Sequence, residues 1–410
     1  MKSVFTLPVF CLLFNITSFS QHIENDKINI GFLDTFQSEI LNETRPLWIH
    51  VPLTEPKSGE RYPVVYLLDG SAHFPSVVGM IRQLSSINGN TLVPKMIVVG
   101  IPNTNRTRDL TPIHDSNSGP QNTSGGGEKF MDFIEKELIP YIDSNYPTSP
   151  YKLFIGHSLG GLTVINTLLK RPDLFNSYIA IDPSLWWADS FTLKEAKTLL
   201  NSNKYENESL FVGVANTMSP GMDIKTVKND TTRNTQHIRD ILEFTTQVVP
   251  ESTSHLDFAY EYYNDDTHGS VPLITTYDGL RFIFSWYDMG EIVPLIMQDD
   301  VTTENIIAAF DKHYKNASKK MGYTLLPPED VINQIGYSFL RQSMFDKSEA
   351  FFKLNVKNYP KSSNVYDSLG DFYLAVDKKE KAIKAYEKAM STSGGNDYSQ
   401  AKLDTLKAGN

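Results

Sequence analysis

The chain has 410 residues, of which 40% are hydrophobic and 21% are charged. This composition is typical of a globular protein, and the length predicts two to three domains. The formal net charge is −10, and an acidic chain is poorly suited to bind a polyanion, so we do not expect a nucleic acid partner.

The N-terminus has the pattern of a secretory signal peptide, residues 1–20. Lys2 precedes a short apolar run at residues 4–14, and small residues lead to an expected cleavage site after Ser20. The run is too short for a membrane span, and no other stretch approaches the roughly 18 apolar residues that a span needs. We therefore expect an exported protein, periplasmic or extracellular, without a membrane span.

The only cysteine, Cys11, lies inside this apolar run, where the preceding Phe10 argues against a lipoprotein signal. After cleavage the chain would contain no cysteine. This excludes disulfide bonds, a thiol nucleophile and a thiolate metal site in the mature protein.

From about residue 28 onward, apolar runs alternate with helical patterns. Strands buried on both faces are predicted where the apolar runs are continuous, at residues 62–68, 95–102, 177–181 and 208–215. The alternating run 256–263 predicts a strand nearer the sheet edge, and residues 103–127 form a long polar loop. Strands and helices that alternate at this spacing predict an α/β domain with a mostly parallel central sheet, which we place at residues 21–294.

The chain changes character after residue 294. Residues 295–328 predict a helical linker, and a repeat follows at residues 329–410. Small or aromatic residues recur there with a spacing of 34, namely Gly336 with Gly370, Ser348 with Ala382 and Phe352 with Tyr386. This spacing resembles tetratricopeptide repeats, in which small residues let two helices approach and aromatic residues fill the gap. We expect a small all-α tetratricopeptide-like domain, with a plain helical hairpin as the alternative.

Residues 156–160 read GHSLG and fit the pattern G-x-S-x-G. An apolar run precedes them and a helical pattern follows, which is the context of the nucleophile elbow of the α/β-hydrolase fold. Ser158 would then sit on a tight turn with its hydroxyl exposed. Glycine is expected at 156 and 160 because bulkier residues would clash there. The alternative is a glycine-rich turn with a capping serine.

A serine hydroxyl needs a general base, and in this fold the chain order is Ser, acid, His, each on a loop after a strand. His268 comes directly after the last predicted strand, beside Gly269, and is the expected base. Two other histidines compete for this role. His255 precedes that strand, which would place it at the opposite end of the sheet, and His237 falls inside a predicted helix.

The acid that holds the imidazole is expected in the loop after the strand at 208–215. The early part of that loop carries Thr217, so Asp223, the first carboxylate, is the expected acid, and Asp230 is the alternative. The two aspartates at positions 265 and 266, just before the base, are expected to be solvated loop charges. A Ser–His dyad without an essential acid stays open.

The oxyanion that forms during acyl transfer needs hydrogen-bond donors. The elbow supplies the backbone N–H of Leu159. A second donor is expected from the loop after the strand at 62–68, at the N–H of Gly70 or Ser71, where glycine allows close approach. The alternative is an ordinary turn after Asp69.

Other side chains near the predicted site suggest how a substrate would bind. Trp186 and Trp187 follow the strand after the elbow, so one of them is expected to line an apolar or aromatic acyl pocket, with core packing as the alternative. Arg106 and Arg108 in the polar loop are expected either to meet an anionic or polyhydroxylated substrate or to be surface charges. We expect no metal and no cofactor, because three remaining histidines show no ligand spacing: His73, His114 and His157.

The chain resembles the esterase D-type α/β-hydrolases in six segments: YLLDG (66–70), VGIPN (99–103), RTRDLTP (106–112), GHSLGG (156–161), PSLWW (183–187) and HGSVP (268–272). This family includes siderophore esterases of the enterobactin and bacillibactin type, and feruloyl and acetyl-xylan esterases. The resemblance covers residues 28–290 approximately, and it implies ester hydrolysis with Ser158 as nucleophile and His268 as base. The chain departs from the feruloyl-type members at the acid, because it has Asn216 and Thr217 where they carry an aspartate soon after the strand.

These patterns favour a secreted serine esterase that forms an acyl-enzyme on Ser158. The expected substrate is a small-molecule or polysaccharide-linked ester, such as a siderophore ester or an acyl ester of a polysaccharide. Two alternatives stay open. One is a non-catalytic binding or scaffold protein that has a hydrolase fold and meets a protein partner through its helical repeats. The other is a protease or an acyltransferase of the same fold.

Overall fold

The structure is a computed structural model that describes residues 28–52, 60–115, 123–290, 292–296, 298, 300–392 and 397–408. The expected signal peptide, residues 1–20, lies outside the described residues. The chain forms two compact units. The described residues up to 148 together with those at 152–283 form the first, and residues 149–151 together with the described residues from 284 onward form the second.

The first unit is built on an eight-stranded sheet. Its strands are β1 (Phe32–Ser38), β2 (Glu43–His50), β3 (Tyr62–Leu68), β4 (Ile97–Ile101), β5 (Thr148–His157), β6 (Ser177–Ile181), β7 (Ser209–Ala215) and β8 (Asp257–Tyr263). Their order in the sheet is β1-β2-β4-β3-β5-β6-β7-β8. The pairs β1–β2 and β2–β4 are antiparallel, and all other pairs are parallel. The prediction of a mostly parallel central sheet is confirmed.

The burial of the strands follows from their sequences. Every residue of β3, β4, β6 and β7 is buried, as continuous apolar runs predict for parallel strands covered on both faces. The edge strand β8 has no fully buried residue, in keeping with its alternating sequence. Because the strands from β3 to β8 are parallel, their carboxyl ends lie at one edge of the sheet, where α/β proteins place their sites.

Helices connect the strands and cover the sheet. They are α1 (Gly70–Ser85), α2 (Arg106–Asp109), α3 (Gly127–Phe133), α4 (Ile139–Asn145), α5 (Leu159–Lys170), α6 (Trp187–Leu199), α7 (Gln236–Glu243) and α8 (Val271–Ile283). A single π-helical turn, Ile134–Leu138, joins α3 to α4. Parallel neighbours require such crossover connections, so the alternation of strand and helix in the sequence is reproduced in space.

The long polar loop is anchored by a buried ion pair at its short helix α2. Arg45 on β2 and Asp109 on α2 are each 1% exposed, and Arg45 Nη1 lies 2.7 Å from Asp109 Oδ2. The other oxygen of Asp109 accepts a hydrogen bond from Arg108 Nε at 2.6 Å, and Arg108 also pairs with Glu43. Arg108 is therefore committed to this network, which fixes the described part of the loop to the antiparallel end of the sheet.

The second unit consists mainly of helices. They are α9 (Ile292–Ile296), α10 (Thr303–Met321), α11 (Glu329–Arg341), α12 (Phe345–Asn358), α13 (Ser363–Ala375), α14 (Lys379–Ser391) and α15 (Asp397–Ala408). The segment 295–328 differs from the expected linker. Ile306 and Phe310 of α10 share a buried core with Phe339 and Phe351 of the following helix pair, so the apolar face of α10 makes it part of the unit.

The expected repeat has a geometric counterpart in this unit. A Cβ added to Gly336 would lie 2.8 Å from the ring of Phe352, and one added to Gly370 would lie 2.5 Å from the ring of Tyr386. The same glycine-to-ring approach thus occurs in two successive helix pairs. The helical region is present, and its tetratricopeptide-like nature stays a prediction. No helix in the described part of the chain is long and apolar enough to cross a membrane.

The Arg45–Asp109 pair yields a prediction about stability. Asp109→Ala would leave the buried guanidinium of Arg45 with only part of its compensation, so we expect the free energy of unfolding to fall by about 3 kcal/mol. Urea denaturation followed by circular dichroism measures this change. The control is Lys197→Ala, which removes an exposed ion pair with Glu243 in the same unit and should cost less than about 1 kcal/mol. Equal small losses in both variants would contradict the expectation.

Candidate active site

Ser158 occupies a strained backbone position between β5 and α5. Its φ of 60° and ψ of −115° lie outside the regions that non-glycine residues favour. The turn is tight, because a Cβ added to Gly156 would lie 2.4 Å from the carbonyl oxygen of Gly160. Two hydrogen bonds hold it: Ser158 N–H donates to Ile181 O at 2.9 Å, and Ser158 O accepts from Ser184 N–H at 3.0 Å. The sequence GHSLG therefore forms an elbow of the predicted kind.

The start of α1 contains the other expected oxyanion donors. Gly70 is packed so closely that an added Cβ would lie 2.5 Å from a backbone nitrogen of β4. Asp69, with φ of 51°, turns the chain into the helix, and its carbonyl oxygen accepts the N–H groups of Ala72 and His73. Gly70 and Ser71 thus lie in the first helical turn, whose N–H groups have no partner within a helix. Their role as oxyanion donors, with Leu159 at the start of α5, stays a prediction.

Arg106 is engaged with the loop that leads into α1. Its Nε and Nη2 donate to the two carboxylate oxygens of Asp69 at 2.7 and 2.9 Å, and Nη2 also donates to His157 O at 3.1 Å. Burial acts to raise the pKa of Asp69, but the hydrogen bonds from Arg106 and Asn103 outweigh it and lower the pKa. A Cβ on Gly160 would lie 3.3 Å from Asp69 Oδ2, so this pair borders the elbow. The expected contact of Arg106 with substrate stays a prediction.

The carboxylate that contacts His268 is Asp182. It follows β6 directly, its side chain is fully buried, and its Oδ2 lies 2.5 Å from His268 Nδ1. The other oxygen, Oδ1, accepts the N–H of Ala215 at 3.0 Å. Burial acts to raise the pKa of Asp182, but hydrogen bonds from His237, His268 and Ala215 outweigh it and hold the pKa far below its usual range. Asp182 is therefore charged and can orient the imidazole of His268.

The expectation that Asp223 or Asp230 holds the base is corrected by this geometry. Asp223 Oδ1 accepts the backbone N–H groups two and three residues later, at 2.9 and 2.8 Å. Asp230 Oδ2 accepts the hydroxyl groups of Thr232 and Thr235, each at 2.7 Å. Both carboxylates thus make the short-range bonds that aspartate forms at turns and helix starts. The missed signal was an aspartate directly at the end of a buried strand, one strand earlier than the loop in which we expected the acid.

A second histidine shares the buried carboxylate. His237, at the start of α7, has its Nε2 2.8 Å from Asp182 Oδ2, and its ring centre lies 5.3 Å from that of His268. Its Nδ1 is buried and has no hydrogen-bond partner within the described ranges. The prediction that His237 lies in a helix is confirmed. Its contact with Asp182 was not foreseen, because helical periodicity does not show which element a side chain faces.

Two further histidines lie beside the base. The ring centre of His157 is 4.5 Å from that of His268 and 5.7 Å from that of His73. Burial, together with the nearby His268 and His73, lowers the pKa of His157 to about 4. Burial also lowers the pKa of His73. Both rings are therefore neutral near pH 7 and add no positive charge beside the base.

Asp182, His237 and His268 are also the residues whose ligand atoms come closest to a metal-binding arrangement in the described part of the chain, with those atoms within 4.8 Å of one another. The separations of 2.5 and 2.8 Å from Asp182 Oδ2 are those of hydrogen bonds. Two ligands of one tetrahedral zinc ion would be about 3.4 Å apart, given Zn–N and Zn–O distances of about 2.0–2.1 Å. The arrangement fits shared hydrogen bonds better than a metal centre.

The two tryptophans differ in their exposure to solvent. Trp186 is 39% exposed, whereas Trp187 is buried and its Nε1 donates to Ile113 O at 3.3 Å. Trp186 is thus the one whose ring is open to solvent, and Trp187 packs in the core. Ser184, which the sequence did not single out, is buried with its Oγ 3.2 Å from Ser158 Oγ. It contacts the expected nucleophile through both its hydroxyl and its N–H.

Comparison with curated proteins finds siderophore esterases. Ferri-bacillibactin esterase BesA from Bacillus subtilis is 33% identical over 189 residues, which is 42% of this chain and 65% of that protein. Siderophore enterobactin esterase from Emericella nidulans is 29% identical over 161 residues, which is 35% of this chain and 53% of that protein. The chain therefore matches less than two thirds of the length of each of these relatives.

A solved structure and a family model extend the match. The structure of an IroE-like serine hydrolase from Shewanella oneidensis superposes with a TM-score of 0.66 at 30% identity, covering 79% of this chain and 98% of that one. The family model described as Putative esterase matches residues 38–272, more than half of the chain. The resemblance seen in the motifs is thus confirmed at the level of the esterase family, and the chain belongs to the Putative esterase family.

Proposed function

We propose that this chain is a serine ester hydrolase and that its substrate is the ester of a siderophore. The observation that carries the proposal is the buried, charged Asp182 bonded to His268 Nδ1, on the same sheet edge as the strained elbow of Ser158. A strained serine at the same sheet edge as an oriented imidazole is not expected in a non-catalytic scaffold protein. Strain of this kind persists where a site requires it.

The geometry suggests how His268 would act as the base. Because Nδ1 faces Asp182, that nitrogen carries the proton and Nε2 is left with a free lone pair. Nε2 would accept the proton of Ser158 Oγ as the oxygen attacks the ester carbonyl carbon. Asp182 would hold the neutral tautomer before attack and stabilise the imidazolium that forms, without itself taking a proton.

The remaining steps follow from the same groups. Negative charge on the carbonyl oxygen would be stabilised by the N–H of Leu159 and by that of Gly70 or Ser71, at the starts of two helices. His268 would then return its proton to the departing alkoxide, leaving the acyl group on Ser158. A water molecule, deprotonated by His268, would release the acid and restore the serine.

The substrate class is supported by the relatives and by one exposed ring. The matched proteins from B. subtilis and E. nidulans are siderophore esterases by name. Trp186 is exposed and follows Ser184 by two residues, and Ser184 Oγ lies 3.2 Å from Ser158 Oγ, so its ring would suit an aromatic acyl group. Acyl esters of polysaccharides are the alternative substrates that the same chemistry would accept.

Two further parts of the proposal rest on other segments. Export to the periplasm or the extracellular space rests on the sequence of residues 1–20. A protein partner for the second unit rests on the repeated glycine-to-ring contacts at Gly336 and Gly370, which are in keeping with tetratricopeptide-like packing.

The substrate proposal is tested with a panel of esters and mass-spectrometric detection of products. We expect turnover of a tris-catecholate trilactone in preference to methyl ferulate and acetylated xylan. Ser158→Ala should reduce kcat by at least about 10⁴-fold without changing the far-ultraviolet circular dichroism spectrum. Preference for ferulate or xylan would contradict the substrate class. Undiminished turnover by Ser158→Ala would contradict the nucleophile.

The assignment of the acid is tested by two matched substitutions. Asp182→Asn keeps the shape of the side chain but removes the charge that fixes the tautomer of His268, so kcat/KM should fall by about 10³–10⁴-fold. Asp223→Asn changes an exposed turn and should alter kcat/KM less than about twofold. Steady-state kinetics on a p-nitrophenyl ester measures both. The reverse ranking of the two variants would return the role to Asp223.

A further inference from the structure

Asp182 Oδ2 faces two imidazole groups at once. His268 Nδ1 lies 2.5 Å from it and His237 Nε2 lies 2.8 Å from it, while Oδ1 takes the N–H of Ala215. A carboxylate is an acceptor only, so both facing nitrogens are N–H donors. His268 would take part in the proposed proton transfer. His237 has no step in it, although its N–H is bound to the same oxygen.

The position of His237 is fixed from both sides of α7. Before the helix, Asp230 accepts the hydroxyl of Thr235 at 2.7 Å, which secures the first turn. Within the helix, Asp240 accepts the hydroxyl of Ser190 on α6 at 2.6 Å. Asp230, the alternative acid that the sequence suggests, therefore secures the helix that carries His237. The Nε2–H group of His237 thus reaches Asp182 from a helix and not from a loop.

The side chain of His237 is 18% exposed, but its Nδ1 atom is buried. While Nε2–H is bound to Asp182, Nδ1 has no hydrogen-bond partner in the part of the chain that the structure describes. A buried polar atom left unsatisfied is unfavourable. A phenylalanine of similar shape would avoid this cost, so the bond to Asp182 is the feature that distinguishes histidine here.

We propose that His237 is a positioning residue of the proposed esterase reaction, which holds Asp182 Oδ2 towards His268 and takes up part of the carboxylate charge. The inference rests on the proposed function. Its consequence is that the imidazolium of His268 is stabilised less than it would be by a carboxylate that it alone contacted. The two histidines thus share one acceptor oxygen, so a change at His237 should alter the hydrogen bond between Asp182 and His268.

The groups that face His268 set the sign of the pH effect. Asp182 faces it from the end of β6, His157 from the end of β5 and His237 from α7. His157 is neutral near pH 7, and so is His73, which faces His157 from α1. Removing the donor at 237 leaves more negative charge towards His268 and favours its protonated form. His268 must be neutral to accept the proton of Ser158, so the acid limb of the plot of kcat/KM against pH should move to higher pH.

The experiment compares His237→Phe with His237→Gln, since glutamine keeps an N–H donor and phenylalanine does not. We expect the acid limb of the kcat/KM profile on a p-nitrophenyl ester to move up by about half a unit to one unit in His237→Phe. The plateau should fall by about tenfold. In His237→Gln, the position of the acid limb and the height of the plateau should both be close to those of the wild-type protein. His255→Gln, at an exposed histidine before β8, is the matched control and should leave the profile unchanged.

A second readout does not depend on turnover. In the Ser158→Ala protein, the hydrogen-bonded Nδ1–H of His268 should give a low-field proton resonance in nuclear magnetic resonance spectra. Adding His237→Phe should move it further downfield, because a carboxylate with fewer donors is a stronger acceptor. Adding His237→Gln should leave it near its original position. An unchanged resonance and acid limb in His237→Phe, or equal changes in the Phe and Gln variants, would overturn the inference. If the wild-type protein hydrolyses no ester, the proposed function fails, and the resonance still decides whether His237 acts on Asp182.

Discussion

A buried negative charge organises the candidate site. Asp182 is fully buried, and a carboxylate removed from water costs several kcal/mol unless donors surround it. Its donors come from successive parts of the chain: Ala215 at the end of β7, His237 on α7 and His268 after β8. Each donor offsets part of that cost. The requirement to satisfy one carboxylate thus fixes the relative positions of three segments that lie far apart in sequence.

The expected nucleophile, Ser158, is held in position by backbone contacts. These contacts involve the end of β6, where the buried carboxylate also lies. The backbone of Ser158 is strained, and strain persists only where the surroundings over-determine it. Here the surroundings are the close approach of Gly156 to Gly160 and the bonds to Ile181 and Ser184. Ile181 is the last residue of β6 and directly precedes Asp182, and Ser184 follows Asp182 by two residues. The stretch from Ile181 to Ser184 therefore holds the backbone of Ser158 and, through Asp182, the imidazole of His268.

Much of this could be predicted from the sequence. Continuous apolar runs report strands buried on both faces, so the parallel sheet was predictable, and GHSLG between such a run and a helical pattern is a local signal for the elbow. The acid was not predictable in the same way, because the carboxyl ends of β6 and β7 lie at the same sheet edge. A carboxylate that follows either strand could therefore reach the base. The choice depends on which carboxylate becomes buried, and the carboxylate of Asp223 accepts its hydrogen bonds from backbone N–H groups of its own turn. The sequence predicts a linker at α10 because the helices that its apolar face packs against follow later in the chain, and the sequence does not show which elements pack together.

The central claim is that the elbow, the base and the buried carboxylate make Ser158 the nucleophile of an acyl transfer. Labelling with diisopropyl fluorophosphate followed by peptide mapping tests it most directly, because the reagent phosphorylates a serine, with loss of fluoride, only where an oriented base activates it. The account predicts a single adduct on Ser158. An adduct on Ser184, whose hydroxyl lies 3.2 Å away, or the absence of any adduct on a folded protein, would contradict it.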